Sequence, residues 1–232
     1  MARKYFEREI INMCEAASKN MNTFYAQDFI NYSGTVKQGQ IYYTEVIAKW
    51  LLDNFNCFDS IIEVKRQNSY KLSHDGEIKK ITCRVEEITA KQIFNTKKDY
   101  KATGRFIDYQ TPLKDRQDNK GVGKIDLLSV NDEQKCVYIL ELKKADSPES
   151  MLRCVLESQT YLRQVCKEKL LNDFGIDTGY KLLAAPLVYK NSKQYKEYMD
   201  ENRTYLHKIM KELDCKPFFM EEKIMYDIKT DK

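Results

Sequence analysis

The segment Val137–Lys143, VYILELK, constrains this chain more than any other. A run this apolar is what a strand covered on both faces requires, yet it closes on Glu141 and Lys143. Charges ending a buried strand call for a reason, because burial of an unpaired charge is costly. Side chains alternate along a strand, so Glu141 and Lys143 share one face while Leu142 enters the opposite layer. The strand-like run before it, Lys124–Val130, carries Asp126 between Ile125 and Leu127. With a hairpin loop at Asn131–Gln134, Val130 pairs with Lys135 and Lys124 with Glu141, and Asp126 lies diagonally beside Glu141. A five-residue loop without a bulge would instead separate them onto opposite faces.

Two carboxylates and an ammonium on one face suit phosphodiester hydrolysis. Asp126 and Glu141 offer hard oxygen ligands to Mg²⁺, with the Leu142 carbonyl as a third and Mn²⁺ as a substitute metal. Lys143 would orient or deprotonate the attacking water and stabilise the pentacovalent transition state. The two histidines, His74 and His207, lie far from these residues in sequence.

Around this pair the pattern is α/β. RFIDYQTPL, KIDLLSV and CVYILELK are short runs rich in β-branched, aromatic and aliphatic residues, and predict an antiparallel meander. Ahead of them, helical spacing predicts helices over Arg3–Ser18, Gln38–Phe55 and Ile78–Ile93, a short strand at Ile61–Lys65 and a turn at 73–76. Ser147, Pro148 and Glu149 predict a helix start running on to about Lys167. YKLLAAPLVYK reads as a strand, Gln194–Leu213 as one helix and PFFMEEKIMYDI as a final strand. The order implies helices flanking a central mixed sheet.

With 232 residues, the chain suits a single domain, 1–232, in which 1–37 forms a helical N-terminal extension. Hydrophobic residues at 42% and charged residues at 32% exclude a disordered chain. No apolar run approaches the roughly 20 residues that cross a bilayer, and the charged start is no secretory signal, so a cytoplasmic location is expected. Seven cysteines without a CxxC pair suggest neither a disulfide framework nor a zinc site. The formal charge of +4 is too mild to diagnose nucleic-acid binding.

The sequence KID, followed some fourteen residues later by ELK, resembles the D, E-x-K core of the PD-(D/E)XK nuclease superfamily, the restriction-endonuclease-like fold. Asp126 follows Ile125 here, where the motif's name has proline. The resemblance implies a Mg²⁺-dependent nuclease, an endonuclease in preference to an exonuclease, acting on DNA. It also implies Glu45 as a third acidic group on the first core helix. Gln159 and Tyr161 would approach the site from the helix after the E-x-K strand, with Lys144 and Tyr161 contacting substrate. A homodimer through the Arg3–Ser18 helix would explain double-strand cutting.

Each assignment has a plainer counterpart. Asp126, Glu141 and Lys143 could form an ordinary ion pair at an exposed strand end. Glu45 could be a solvated helix residue beside Lys49, and Gln159 mere helix polarity. Lys144 could face phosphate or solvent. Tyr109 and Gln110 could line a groove or serve structure. The Leu113–Gly123 loop, with Lys114, Arg116 and Lys120, could hold a phosphate or simply connect two strands. A catalytically inactive nuclease fold that binds nucleic acid or a protein is the alternative function.

Overall fold

The computed structural model describes residues 4–72, 74–77, 84–115 and 123–221. The meander forms as predicted: β2 (Gly104–Pro112), β3 (Lys124–Asn131) and β4 (Cys136–Leu142) are antiparallel neighbours. A two-residue strand, β1 (Asp99–Tyr100), adds to β2. Beyond β4, β5 (Lys181–Tyr189) and β6 (Phe218–Met220) pair in parallel, giving a six-stranded mixed sheet in sequence order. Parallel neighbours need crossovers. Helices α4 (Met151–Gln164) and α5 (Lys167–Phe174) carry the chain from β4 to β5, and α6 (Lys193–Met199) and α7 (Thr204–Glu212) carry it from β5 to β6. Ahead of the sheet come α1 (Glu7–Ala17), α2 (Tyr43–Asp53) and α3 (Val85–Asn95), with short 3₁₀ segments between α1 and α2.

Alternation along the strands feeds two apolar layers. Leu128, Val130, Val137, Ile139 and Val188 join α1, α2, α4 and α7 in one cluster. Leu127, Leu140, Leu142 and Leu187 join Ala90 and Ile93 of α3 in the other. The chain is thus α/β, with a mixed sheet covered on both faces. The N-terminal residues Ile10, Cys14, Phe24 and Ile30 are buried in the first of these clusters, against the same side chains that the sheet supplies.

Several expectations are corrected. The hairpin pairs Asn131 with Cys136 and Leu127 with Leu140, so the loop is Asp132–Lys135 and the register lies one residue further along each strand than predicted. Asn131 stays in the ladder because its side chain accepts the Gln134 N–H at 3.0 Å and closes the turn itself. The helix after β4 is capped by Ser150, not Ser147: the Ser150 hydroxyl oxygen accepts the Arg153 N–H at 3.1 Å. Pro148 and Glu149 therefore precede the helix. Gln194–Leu213 is broken into α6 and α7, because the Asp200 carboxylate accepts the Asn202 N–H at 3.0 Å in a local turn. Ile61–Lys65 forms no strand, and Ile62 is 70% exposed. The predicted start of the third helix at Ile78, residue 73 of the predicted turn and the end of the last strand lie outside the described residues. Among the described residues no helix is long and apolar enough to cross a membrane.

Candidate active site

Asp126 is set by two strands. One rung beyond the Leu127–Leu140 pair, the β3–β4 register sets it across from Glu141, directly rather than diagonally. Its Oδ2 accepts the Leu142 N–H at 3.0 Å and its Oδ1 accepts the Gln110 side-chain amide at 2.8 Å. Gln110 lies within β2 between the Tyr109–Leu127 and Thr111–Ile125 rungs, where the register is unshifted, and takes a left-handed φ of 49°. A non-glycine residue in that region costs about 1–3 kcal/mol unless its surroundings compensate. Here the kink is coupled to the hydrogen bond with Asp126.

Glu141 and Lys143 are nearly inaccessible, at 4% and 5% exposure, which removes the solvated-strand-end reading. The Lys143 ammonium lies 2.7 Å from Glu141 Oε1, 2.7 Å from Glu149 Oε2 and 3.2 Å from Glu157 Oε2. The ammonium donates hydrogen bonds to Glu141 and Glu157, while Glu149 Oε2 stands beside it as an ion pair without a hydrogen bond. The Arg153 Nε sits 2.9 Å from Glu149 Oε1 and 3.9 Å from Glu157 Oε2. The Tyr161 hydroxyl donates to Glu157 Oε1 at 3.0 Å and lies 3.4 Å from the Tyr25 hydroxyl. It also presses on the chain just ahead of β3, where a Cβ at Gly123 would lie 2.2 Å from the Tyr161 hydroxyl oxygen. A larger residue there would have to displace the Tyr161 ring.

The electrostatics follow from this crowding. Burial raises Asp126 to about 7, with Lys143 and the Leu142 N–H opposing and Glu157 and Glu86 adding to the rise. Burial, then the Asp126 and Glu157 carboxylates, push Glu141 well above the usual carboxylate range despite Lys143. Burial works against the Lys143 charge, but Glu141 and Glu157 more than offset it and hold the ammonium above the usual lysine range. Among the described residues, the four carboxyl groups of Asp126, Glu141, Glu149 and Glu157 outnumber the basic side chains of Lys143 and Arg153 in this cluster by two.

That excess bears on whether a divalent cation fits. Asp126 and Glu141 repel each other's charge, and a cation between them would relieve the repulsion. Carboxylate and main-chain carbonyl oxygens, the kinds of donor expected of Asp126, Glu141 and Leu142, are hard and suited to Mg²⁺. Among the described residues no group of three or more His, Cys, Asp or Glu side chains is arranged to hold a metal. Asp126 and Glu141 bring two carboxylates together, fewer than such a group has.

The other predicted residues divide. Tyr161 joins the cluster through Glu157. Glu45 does not: its two oxygens accept the Tyr205 and Leu206 N–H groups at 2.7 and 2.8 Å, capping α7. Gln159 also turns away, its amide donating to the Leu213 carbonyl at 3.1 Å and its oxygen accepting from Arg163 at 2.6 Å. Lys144 is partly exposed, its ammonium 3.3 Å from Asp146, and its N–H donates to Glu86 at 3.2 Å. His74 contacts Asp108 at 2.7 Å and no residue of this cluster. Arg116 and Lys120 lie outside the described residues, while the Lys114 carbonyl accepts from Arg66.

Sequence reasoning missed Glu149 and Glu157. The signal was present as Glu149, Arg153, Glu157 and Tyr161, a run at i, i+4 spacing that forms one stripe of α4 and its approach. Gln159 is two residues past Glu157, about 200° around the helix, and so faces another layer. No protein-family model, curated protein or solved structure compared with this chain matches it.

Proposed function

We propose that this chain is a Mg²⁺-dependent nuclease that hydrolyses phosphodiester bonds, with DNA as its first substrate, on a restriction-endonuclease-like sandwich of the PD-(D/E)XK kind. The observation that carries the reading is the buried set of Asp126 and Glu141 on neighbouring strands with the Lys143 ammonium against Glu141. Bound between the carboxylates, Mg²⁺ would activate a water and neutralise charge on the phosphate. Asp126 and Glu141 would hold it, with the Leu142 carbonyl. Gln110 and the Leu142 N–H orient Asp126. Lys143 supplies a fixed positive charge beside the reacting phosphate. Endonucleolytic cutting and pairing of two copies for double-strand cleavage belong to the same reading, as does a cytoplasmic location. An inactive nucleic-acid-binding relative is the weaker reading, since a binding module gains nothing from an acid excess inside a buried cluster.

The test is incubation with plasmid, linear duplex, single-stranded DNA and RNA in Mg²⁺, Mn²⁺ or EDTA. Metal-dependent cleavage is expected, lowered roughly 10²–10³-fold by Asp126→Ala or Lys143→Ala. Binding that survives both substitutions, with no cleavage of any substrate by the wild type, would overturn it.

A further inference from the structure

A cleft of about 380 Å³ opens beside the start of β2, within the range of about 300–1,000 Å³ usual for small-molecule sites. It stands apart from the carboxylate cluster: Arg105, which lines it, precedes the Asp126 partner Gln110 by five residues, roughly 17 Å of strand. Four segments distant in sequence supply its walls. Lys71 comes from the chain ahead of α3, Phe94 and Lys97 from the end of α3, Arg105 and Phe106 from β2, and Phe174 from the end of α5. Consecutive strand residues ordinarily point to opposite faces, yet Phe106 and Ile107 both line the cleft. The register of β2 shifts between Phe106 and Asp108, and a shift of this kind re-aims a side chain. Among the described residues that line the cleft, every charged side chain is basic. Among the described residues, too, the Lys71 and Lys97 ammonium groups have no carboxylate partner, and Lys97 lies 3.3 Å from the centre of the Phe94 ring. Arg105 meets Asp132 at 3.4 Å, but both side chains are more than half exposed, and such a pair contributes little. Three cations around one concavity repel one another, and an anion between them relieves that repulsion. The rest of the lining is aromatic and aliphatic, a surface on which a planar group can stack. None of the described lining side chains is a hydrogen-bond acceptor, so little in them tells one base edge from another.

We propose that this cleft binds a nucleotide, with its phosphates on Lys71, Lys97 and Arg105 and its base against Phe174. The site is separate from the candidate active site and does not depend on the nuclease reading. Two sources offer the same chemistry, a free nucleotide and a nucleotide within a single strand. The test is calorimetric titration of the full chain, in EDTA so that no strand is cut, with ADP, adenosine and pyrophosphate. ADP should bind at least about tenfold more tightly than either of its halves, because joining them makes the second contact intramolecular. GDP should bind within about threefold of ADP, since the lining side chains do not read the base edge. Lys97→Glu and Arg105→Glu, both at exposed positions, should each weaken ADP binding roughly tenfold or more without moving the melting temperature. Phe174→Leu should weaken it by roughly tenfold through lost stacking. Competition with oligothymidylate separates the sources: displacement of ADP assigns the cleft to a strand, and no displacement assigns it to a free nucleotide. Absence of ADP binding at millimolar concentration overturns the proposal, as does pyrophosphate binding as tight as that of ADP, or ADP binding indifferent to Lys97→Glu and Arg105→Glu. These readouts need no cleavage, so the nuclease reading and the nucleotide cleft stand or fall separately.

Discussion

At the scale of single residues the site is a balance of charge that a bare protein holds at a cost. Asp126 is the sharpest case, because its folded-state pKa of about 7 lies far above the ordinary carboxylate value of 3.8. The folded protein therefore binds this proton more tightly than the unfolded chain does. Its contribution to stability is full below pH 3.8 and is lost as pH rises through about 7. Glu141 is displaced in the same direction and adds to the trend. In EDTA, the wild-type melting temperature should fall between pH 6 and pH 8 by more than that of Asp126→Asn, which lacks the ionisation. Differential scanning fluorimetry across that range measures it, and parallel curves would contradict the assignment. Metal affinity has the opposite slope, since the ligand must lose its proton first. Mg²⁺ or Mn²⁺ should raise the melting temperature more at pH 8 than at pH 6, and calorimetry should record proton release on binding.

Among elements, the meander was legible because KIDLLSV and CVYILELK are short runs rich in β-branched and aliphatic residues, apolar enough for strands covered on both faces. The local turn chemistry was not. Asn131 could be read as a loop residue, but its side chain closes the turn from within the ladder, which shifts the register by one residue on each strand. Both registers keep Asp126 and Glu141 on one face, so the site survived the error. Glu45 shows why a helical face alone does not assign a role. Its inward direction was readable, but its target, the start of α7, exists only because Asp200 breaks the last long helix. Two unpaired N–H groups at a helix start attract a carboxylate. Glu45→Ala should destabilise the protein by about 1–3 kcal/mol, as expected for buried hydrogen bonds to a charged group. Urea unfolding measures the loss, and cleavage per folded molecule should stay within about threefold. A collapse of activity without loss of stability would return Glu45 to the active site.

On the scale of the whole molecule, the question is whether the first 37 residues are an extension or part of the core. Ile10, Cys14, Met21, Phe24, Phe29, Ile30 and Val36 are all buried in the cluster that covers one face of the sheet. Burial of one such side chain contributes about 1.5–3 kcal/mol, so several together rival the 5–15 kcal/mol by which a typical domain is stable. Polar ties run the same way. The Ile30 carbonyl accepts the Ser150 hydroxyl at 2.8 Å and the Asn31 side chain accepts the Ser150 N–H at 3.0 Å, fixing the start of α4. Tyr25 reaches the Tyr161 hydroxyl and so the far side of the carboxylate cluster. A chain beginning at Gln38 would expose the apolar stripe of α4 and loosen the helix that carries Glu157. Such a truncation should show no cooperative unfolding transition and should bind a hydrophobic dye in buffer. Tyr25→Phe, which removes only the hydroxyl, should leave stability within about 1 kcal/mol. A truncated protein that melts cooperatively near the full-length temperature would make the segment a separable appendage, and the structural support for α4 would then have to come from the sheet alone.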